Sequence, residues 1–261
     1  MIEASNIRYT IRGKEILRGV SMTAYAGQVI AIIGQNGVGK STLLKILSGE
    51  IKPTTGAVFL HKKSLDGISL AERASCRCVL PQHSTLNFAF TAREVIEMGL
   101  VSSRYTRKIF GCAEIIGDAA SATGVSHLLD RMYLSLSGGE RQRVHLARVW
   151  AQYACCRPDI SPVILLDEPV SSLDLAFQHT VLRLAREAAS DGATVIIVLH
   201  DLHLTARYAD QVIMMKNGVI YQSGETDKVL TSDSISECYD ISPELIDGIH
   251  IPRPQHSVAL Y

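Results

Sequence analysis

The chain has 261 residues, 47% of them hydrophobic, and its 26 Lys and Arg are balanced by 26 Asp and Glu. That balance excludes a global basic field for nucleic acid, and there is no acidic tail. No apolar run approaches the roughly 18–20 residues that span a bilayer.

The length suits one large α/β domain, or a core with one inserted subdomain. Met1-Ile2-Glu3-Ala4-Ser5-Asn6 does not read as a signal peptide. The expectation is therefore a soluble cytoplasmic chain, with any membrane role supplied by a partner. Cys76, Cys78, Cys112, Cys155, Cys156 and Cys238 form no C-x-x-C and lack zinc-site spacing. They are expected to be reduced thiols packed as small apolar groups.

Ile2–Thr10 and Lys14–Ser21 read as strands joined at Arg12-Gly13. Tyr9, near the end of the first, is either a plain strand aromatic or a stacking platform for an adenine ring. The apolar run Val29–Ile33 reads as a buried parallel strand, and Ser41–Leu47 as a helix that stops near Gly49. Between them stands Gly34-Gln35-Asn36-Gly37-Val38-Gly39-Lys40-Ser41, a G-x-x-x-x-G-K-S loop in the strand–loop–helix setting the motif needs. Its glycines let backbone N–H groups curl toward a phosphate, and the helix N-terminus adds partial positive charge. Lys40 is expected on the β- and γ-phosphates and the Ser41 hydroxyl on Mg²⁺. A plain glycine-rich turn would not explain the Lys and Ser. A dinucleotide fingerprint lacks its third glycine, since position 42 is Thr42.

Further on, Ala57–Leu60 reads as a strand, Ser69–Ala74 as a short helix and Cys78–Leu80 as a buried strand ending in Pro81-Gln82. The capping box Thr91-Ala92-Arg93-Glu94 opens a helix over Ala92–Met98. Cys112–Thr123 reads as another helix, and Val125–Arg131 as a third, shorter one. This block interrupts the strand–helix alternation and reads as an inserted subdomain. Arg104, Arg107 and Lys108 read as a solvated loop before it.

Leu136-Ser137-Gly138-Gly139-Glu140 leads into a long helix, Arg141 to Tyr153. A capping box explains Ser137 and Glu140 but not two consecutive glycines, which are poor helix formers. Open N–H groups without side chains suit a phosphate. Val163–Asp167 is a buried strand ending in Asp167 and Glu168. A strand-end carboxylate beside a phosphate loop suits Mg²⁺. Its neighbour points elsewhere and is free to orient or deprotonate water. An acidic turn before Pro169 is the plainer alternative. Ser171-Ser172-Leu173-Asp174 caps a helix over Leu175–Ala189. Ala193–Leu199 is an apolar strand ending in His200, which is a core histidine, one of a pair with His203, or a group reaching a γ-phosphate. Gln211–Lys216 and Val219–Gln222 flank Asn217-Gly218, a type I′ hairpin signal. After Leu230 two short helical pieces are expected, then a tail with His250, Pro252, Pro254 and His256.

In this order the motifs resemble the ATP-binding subunit of an ABC transporter, over roughly residues 1 to 240. Gly34–Ser41 resembles Walker A and Gln82 the Q-loop. Leu136–Glu140 resembles the signature, and Val163–Asp167 with Glu168 resembles Walker B. Ser172-Leu173-Asp174 resembles the D-loop, His200 the switch histidine and Tyr9 the A-loop aromatic. Val170 departs from the family's frequent Thr. The resemblance implies an α/β P-loop cassette: a mostly parallel core sheet, an N-terminal antiparallel β-subdomain and an inserted α-helical subdomain. It implies a single nucleotide-binding domain over 1–240. The core lobe would cover 1–82 and 159–230, the helical subdomain about 83–158, and the tail 241–261.

It further implies ATP and Mg²⁺ as cofactors. ATP would contact Tyr9, Gly34, Gln35, Asn36, Gly37, Val38, Gly39, Lys40, Ser41, Thr42 and Asp167. Mg²⁺ would contact Ser41, Gln82 and Asp167. Glu168, His200 and Gln82 would serve hydrolysis. Ser137, Gly138, Gly139, Glu140 and Asp174 would act on the ATP of a second copy bound head to tail. Phe88-Ala89-Phe90-Thr91-Ala92-Arg93-Glu94-Val95-Ile96-Glu97-Met98-Gly99 is similar to importers of iron chelates, vitamin B12 and haem, which usually carry Arg where this chain has Leu100. Ala147-Arg148-Val149-Trp150-Ala151-Gln152, the extra residues about Tyr153–Pro162, and Gln178-His179-Thr180 are similar to the haemin importers among them. That implies two transmembrane permease subunits, an indirect haem-binding protein outside the membrane, no nucleic acid, and a peripheral place on the cytoplasmic face of the inner membrane. A ferric-siderophore or vitamin B12 importer is the alternative. A soluble ABC protein of translation or DNA maintenance would need tandem cassettes or a long coiled-coil insertion, and this chain has neither.

Overall fold

Alternation along the central strands divides the interior into two cores. In β3 (Gln28–Ile33), Val29, Ala31 and Ile33 enter one core while Ile30 and Ile32 enter the other. The strands β7 (Val163–Asp167) and β8 (Thr194–Val198) split the same way. Strands buried on both faces read as unbroken apolar runs, which is why these segments carry almost no polar residue. Each fully buried Ile or Leu contributes about 1.5–3 kcal/mol. The structure is a computed structural model that describes residues 1–82, 86–100 and 111–242.

A six-stranded sheet has the order β10-β9-β3-β8-β7-β6, with β6 (Arg77–Leu80), β9 (Gln211–Lys216) and β10 (Val219–Glu225). It is parallel except for β10, which joins β9 at Asn217-Gly218. Both turn residues have positive φ, at 50° and 81°, as a type I′ turn requires. A separate antiparallel sheet, β2-β1-β4-β5, comprises β1 (Ile2–Ile11), β2 (Lys14–Ala24), β4 (Thr55–Leu60) and β5 (Lys63–Ser64). The expected parallel core and antiparallel N-terminal sheet are both present. Helix α1 (Lys40–Ser48) lies in the core shared by the two sheets.

Between β4 and β6 comes α2 (Leu70–Ala74), capped by Ser69. The opposite face of the large sheet carries α3 (Ala92–Glu97), α4 (Cys112–Ala122), α5 (Gly138–Ala154) and α6 (Leu175–Ser190), with α7 (Leu202–Tyr208) in the same core. Leu100 is 1% exposed in this core, so an apolar side chain suits the position. All six cysteines are free thiols, and four of them are buried.

Two helix expectations are corrected. Residues 125–131 make only a 3₁₀ turn at Ser126–Leu128. The segment closes i→i+3 bonds, Leu128 N–H to the Val125 carbonyl and Arg131 N–H to the Leu128 carbonyl, and its Leu129 and Arg131 carbonyls cap the Arg93 and Ala92 N–H groups, the orphan donors of α3. After Leu230 there is one described helix, α9 (Ser232–Tyr239); the other short piece, α8 (Thr226–Val229), precedes it. Arg104, Arg107, Lys108 and the tail beyond residue 242 lie outside the described residues. Among those described, no helix is long and apolar enough to cross a membrane.

Candidate functional site

Four adjacent parallel strands deliver the site at their C-terminal ends. β3 leads into the glycine-rich loop, β8 ends two residues before His200, β7 ends in Asp167, and β6 ends two residues before Gln82. Ligands of open α/β sheets bind at this edge.

Gly37 and Gly39, with φ of 79° and 106°, curl the loop into α1, whose N-cap Gly39 carries no capping side chain. The first amides of α1 therefore have no side-chain competitor for an anion. A Cβ on Gly39 would stand 2.7 Å from Leu17 Cδ2, so the β1–β2 hairpin packs against the loop at this point. Tyr9 pairs with Leu17 on that hairpin and is partly buried beside the core. Asn36 is exposed, Val38 packs partly buried, and Thr42 is the third residue of α1. Lys40 is 5% exposed, and its Nζ donates to the Gly34 and Gln35 carbonyls at 2.8 Å each. Burial lowers its pKa, against the opposing pull of Glu168 and Asp167.

Ser41 Oγ donates to Asp167 Oδ1 at 3.0 Å, and Asp167 Oδ2 is buried without a hydrogen-bond partner. Burial raises the Asp167 carboxyl above its ordinary value, despite the Ser41 hydrogen bond. A half-buried hydroxyl and a buried carboxylate oxygen with an unused lone pair form the hard oxygen set that Mg²⁺ takes, so these residues fit the metal. Gln82, expected on the same ion, stands close enough to Glu168 to help hold its carboxyl below the usual value.

Glu168 Oε1 lies 2.7 Å from His200 Nε2. Burial pushes its carboxyl up, but the hydrogen bonds from His200 and Gln82 and the charge of Lys40 outweigh this and hold it below the usual value. The site therefore keeps an ionised carboxylate oriented on both sides. The His200 side chain is 42% exposed, which excludes the core-histidine reading. His203 is exposed one turn away.

Ser137 caps α5. Its Oγ accepts from the Glu140 N–H, and Glu140 Oε2 accepts from the Ser137 N–H at 2.8 Å. A Cβ on Gly138 would meet nothing within 4 Å, and one on Gly139 only Ser172 O at 3.5 Å, so this helix end is open. Asp174 caps α6 through the Phe177 N–H, and the adjoining Leu175 is 68% exposed.

Two glutamines that the sequence did not place at this site belong to it. Gln142 Nε2, from α5, donates to the Pro169 carbonyl at 2.9 Å and reaches the Glu168 carbonyl at 3.4 Å. Gln178 Nε2, from α6, donates to the Val170 and Leu173 carbonyls. Glu168 and Ser172 both adopt positive φ, at 49° and 76°, which non-glycine residues hold only where the surroundings fix them. Replacing Gln142 by Leu is expected to lower ATP turnover about tenfold, while ATP binding stays within about twofold, because each lost hydrogen bond is worth roughly 1 kcal/mol. Steady-state hydrolysis set beside equilibrium nucleotide binding checks this.

A cleft of about 270 Å³ adjoins the site, lined by Gln82, Leu86, Tyr133, Leu134, Arg141 and His145 among others. Phe88 is 71% exposed, Leu134 47% and Met132 42%. Phe90 packs against the core and meets the Phe88 ring edge-on at 6.2 Å, so one ring of the pair is inside and the other outside.

The profile of the family described as ABC transporter matches residues 17–171. The chain is 47% identical to the "Hemin import ATP-binding protein HmuV" of Gloeobacter violaceus, covering 90% of this chain and 86% of that protein. It is 44% identical to the protein of the same name from Aliivibrio fischeri, covering 91% and 90%. The dimeric structure of a bacterial ABC transporter cassette superposes with a TM-score of 0.75 at 25% identity, covering 87% of this chain and 99% of that one.

Proposed function

This chain belongs to the ABC transporter family, as an ATP-binding subunit with ATPase activity coupled to transport, and we propose that the transport it drives is import of haemin. The observation that carries the substrate is the identity with named haemin-import relatives over nine tenths of the chain. The site geometry supports the ATPase. It joins a phosphate loop to the Ser41–Asp167 pair and to an ionised Glu168 held by His200 and Gln82.

In this reading the amides of Gly37 and Gly39 and the N-terminus of α1 bind the phosphates, with Gly34, Gln35, Asn36, Val38 and Thr42 completing the cradle. Lys40 leaves the Gly34 and Gln35 carbonyls for the β- and γ-phosphates, and Tyr9 stacks on the base. Ser41 and Asp167, with Gln82, would hold Mg²⁺, whose charge would offset that of the phosphates. Glu168 orients the attacking water and takes its proton. His200 fixes that carboxylate.

The open N-terminus of α5 and the exposed Leu175 beside Asp174 support a head-to-tail dimer. In it Ser137, Gly138, Gly139, Glu140 and Asp174 meet the ATP of the other copy. We assign residues 1–82 and 159–230 to a core lobe, about 83–158 to a helical subdomain and 241–261 to a tail. Two permease subunits would hold the dimer on the cytoplasmic face of the inner membrane, with a haem-binding protein acting from outside it.

Phe88, Leu134 and Met132 beside the cleft form the apolar face that such a permease would cover. Replacing Phe88 by Asp is expected to weaken association with the permease. Stability of the isolated subunit should change by less than about 0.5 kcal/mol, since the ring is exposed. Co-purification with the permease and thermal melting check both halves. The substrate is tested by uptake into vesicles carrying the assembled transporter. Haemin-dependent ATP hydrolysis and uptake are expected, and uptake of a ferric siderophore or cobalamin in its place would overturn the assignment.

A further inference from the structure

We propose that Tyr239 and Asp240, at the end of α9, are positioning residues for the phosphate loop and set its affinity for ATP. The inference rests on that loop being the nucleotide site.

The first two residues of the loop are held from two sides. The Gly34 N–H donates to the Tyr239 hydroxyl oxygen at 3.0 Å. The Gln35 Nε2 donates to the Tyr239 carbonyl at 2.6 Å and to Asp240 Oδ2 at 3.1 Å. The carbonyls of the same two residues accept from Lys40 Nζ. Gly34 itself has no room to shift. It is buried, its φ is 139°, and a Cβ there would fall 2.2 Å from the Met215 carbonyl oxygen on β9. The loop entrance is therefore clamped between β9 and α9.

α9 is firmly seated. Ile235 and Cys238 are 0% exposed in the core. Lys216, at the end of β9, donates to Asp240 Oδ1 at 2.8 Å and to the Glu237 carbonyl. Burial pushes the Tyr239 hydroxyl up to about 12, so it stays protonated through the physiological range. Asp240 carries a cost that its contacts explain. It closes α9 with φ of 54°, the left-handed C-cap conformation that glycine adopts most easily. A side chain at this position makes contacts that a glycine could not, here to Gln35 and Lys216.

The consequence is specific. Lys40 must exchange two carbonyl acceptors for phosphate oxygens when ATP binds. Tyr239 and Asp240 hold those carbonyls where the exchange needs no movement of the loop entrance. The hydrogen bonds of Tyr239 and Asp240 go to Gly34, Gln35 and Lys216, while Glu168, which serves the hydrolytic step, bonds to His200. The clamp therefore acts on binding and not on turnover at saturation.

The test uses the full chain. ATP binding is measured calorimetrically in EDTA, and ATPase parameters with Mg²⁺. Wild-type binding of ATP tests the phosphate-loop reading itself; the variants test only the clamp. Tyr239→Phe removes one oxygen and leaves the Gly34 N–H unpaired. Asp240→Gly gives the backbone its preferred residue while deleting both side-chain contacts. Each is expected to raise Kd and KM for ATP about three- to tenfold with kcat preserved. Asp240→Gly should do so with an unchanged or higher melting temperature, which a merely structural role would not produce. Combining Asp240→Gly with Gln35→Ala should add less than the product of the single effects, because the two share a bond. Kd and KM within twofold of wild type in both single variants would overturn the proposal. So would a fall in kcat at unchanged KM, or a loss of affinity in Asp240→Gly matched by a lower melting temperature.

Discussion

Replacing Glu168 by Gln is expected to leave ATP binding intact and to lower hydrolysis by about 10²–10⁴-fold, the range that general-base assistance supplies. The amide keeps the size of the carboxylate and can still bond to His200, which lies 2.7 Å from Oε1. It cannot take a proton from water. Asp167, one residue earlier, faces Ser41 and is untouched by the change, so the residues that fit Mg²⁺ remain. The carboxylate is also charged in the native site, because His200, Gln82 and Lys40 outweigh the effect of burial. Acidification toward pH 6 should therefore not mimic the substitution. Steady-state turnover within twofold of wild type, at unchanged ATP affinity, would show that another group activates the water.

A mixture of Lys40→Ala and Ser137→Arg chains is expected to regain activity that neither has alone. Lys40 is buried at the start of one helix, and Ser137 caps the open end of another. In a head-to-tail dimer each nucleotide needs Lys40 from one copy and the Ser137 end from the other. A mixed dimer then has one doubly damaged site and one intact site. With random pairing and independently firing sites, recovery should approach about a quarter of wild-type turnover. Cross-linking gives a second readout. Because Lys40 is buried and needed for the phosphates, the cysteines go at position 137 and at Asn36, exposed on the same loop, and should join two chains in the presence of ATP, seen as a covalent dimer. A cross-link confined to one chain would refute the arrangement.

Much of the site is legible in the sequence because backbone requirements are local. A phosphate loop must leave a buried strand and enter a helix, and residues 28–48 carry that pattern with glycines where φ is positive. Capping boxes at Thr91 and Ser137 specify helix starts from four residues each, and both form; the structure adds a third at Ser69. The limits are equally local in origin. Residues 125–131 have helix-compatible composition, yet they close only 3₁₀-type turns and lend the Leu129 and Arg131 carbonyls to the start of α3, more than thirty positions away.

The order of residues by itself determined the parallel strands, the phosphate loop, the pair of strand-end acids and the family to which they belong. Each depends on side-chain period or on backbone conformation within a few residues. Tertiary structure alone decided which groups meet. It set Gln82 and His200 on Glu168, Gln142 and Gln178 on the loop that follows it, and Tyr239 on Gly34 across 205 positions of chain. A lone glutamine or tyrosine has no local signature. Its hydrogen bond is chosen by whichever buried donor or acceptor the folded sheet brings within about 3 Å, because a buried polar group left unpaired costs more than the bond returns.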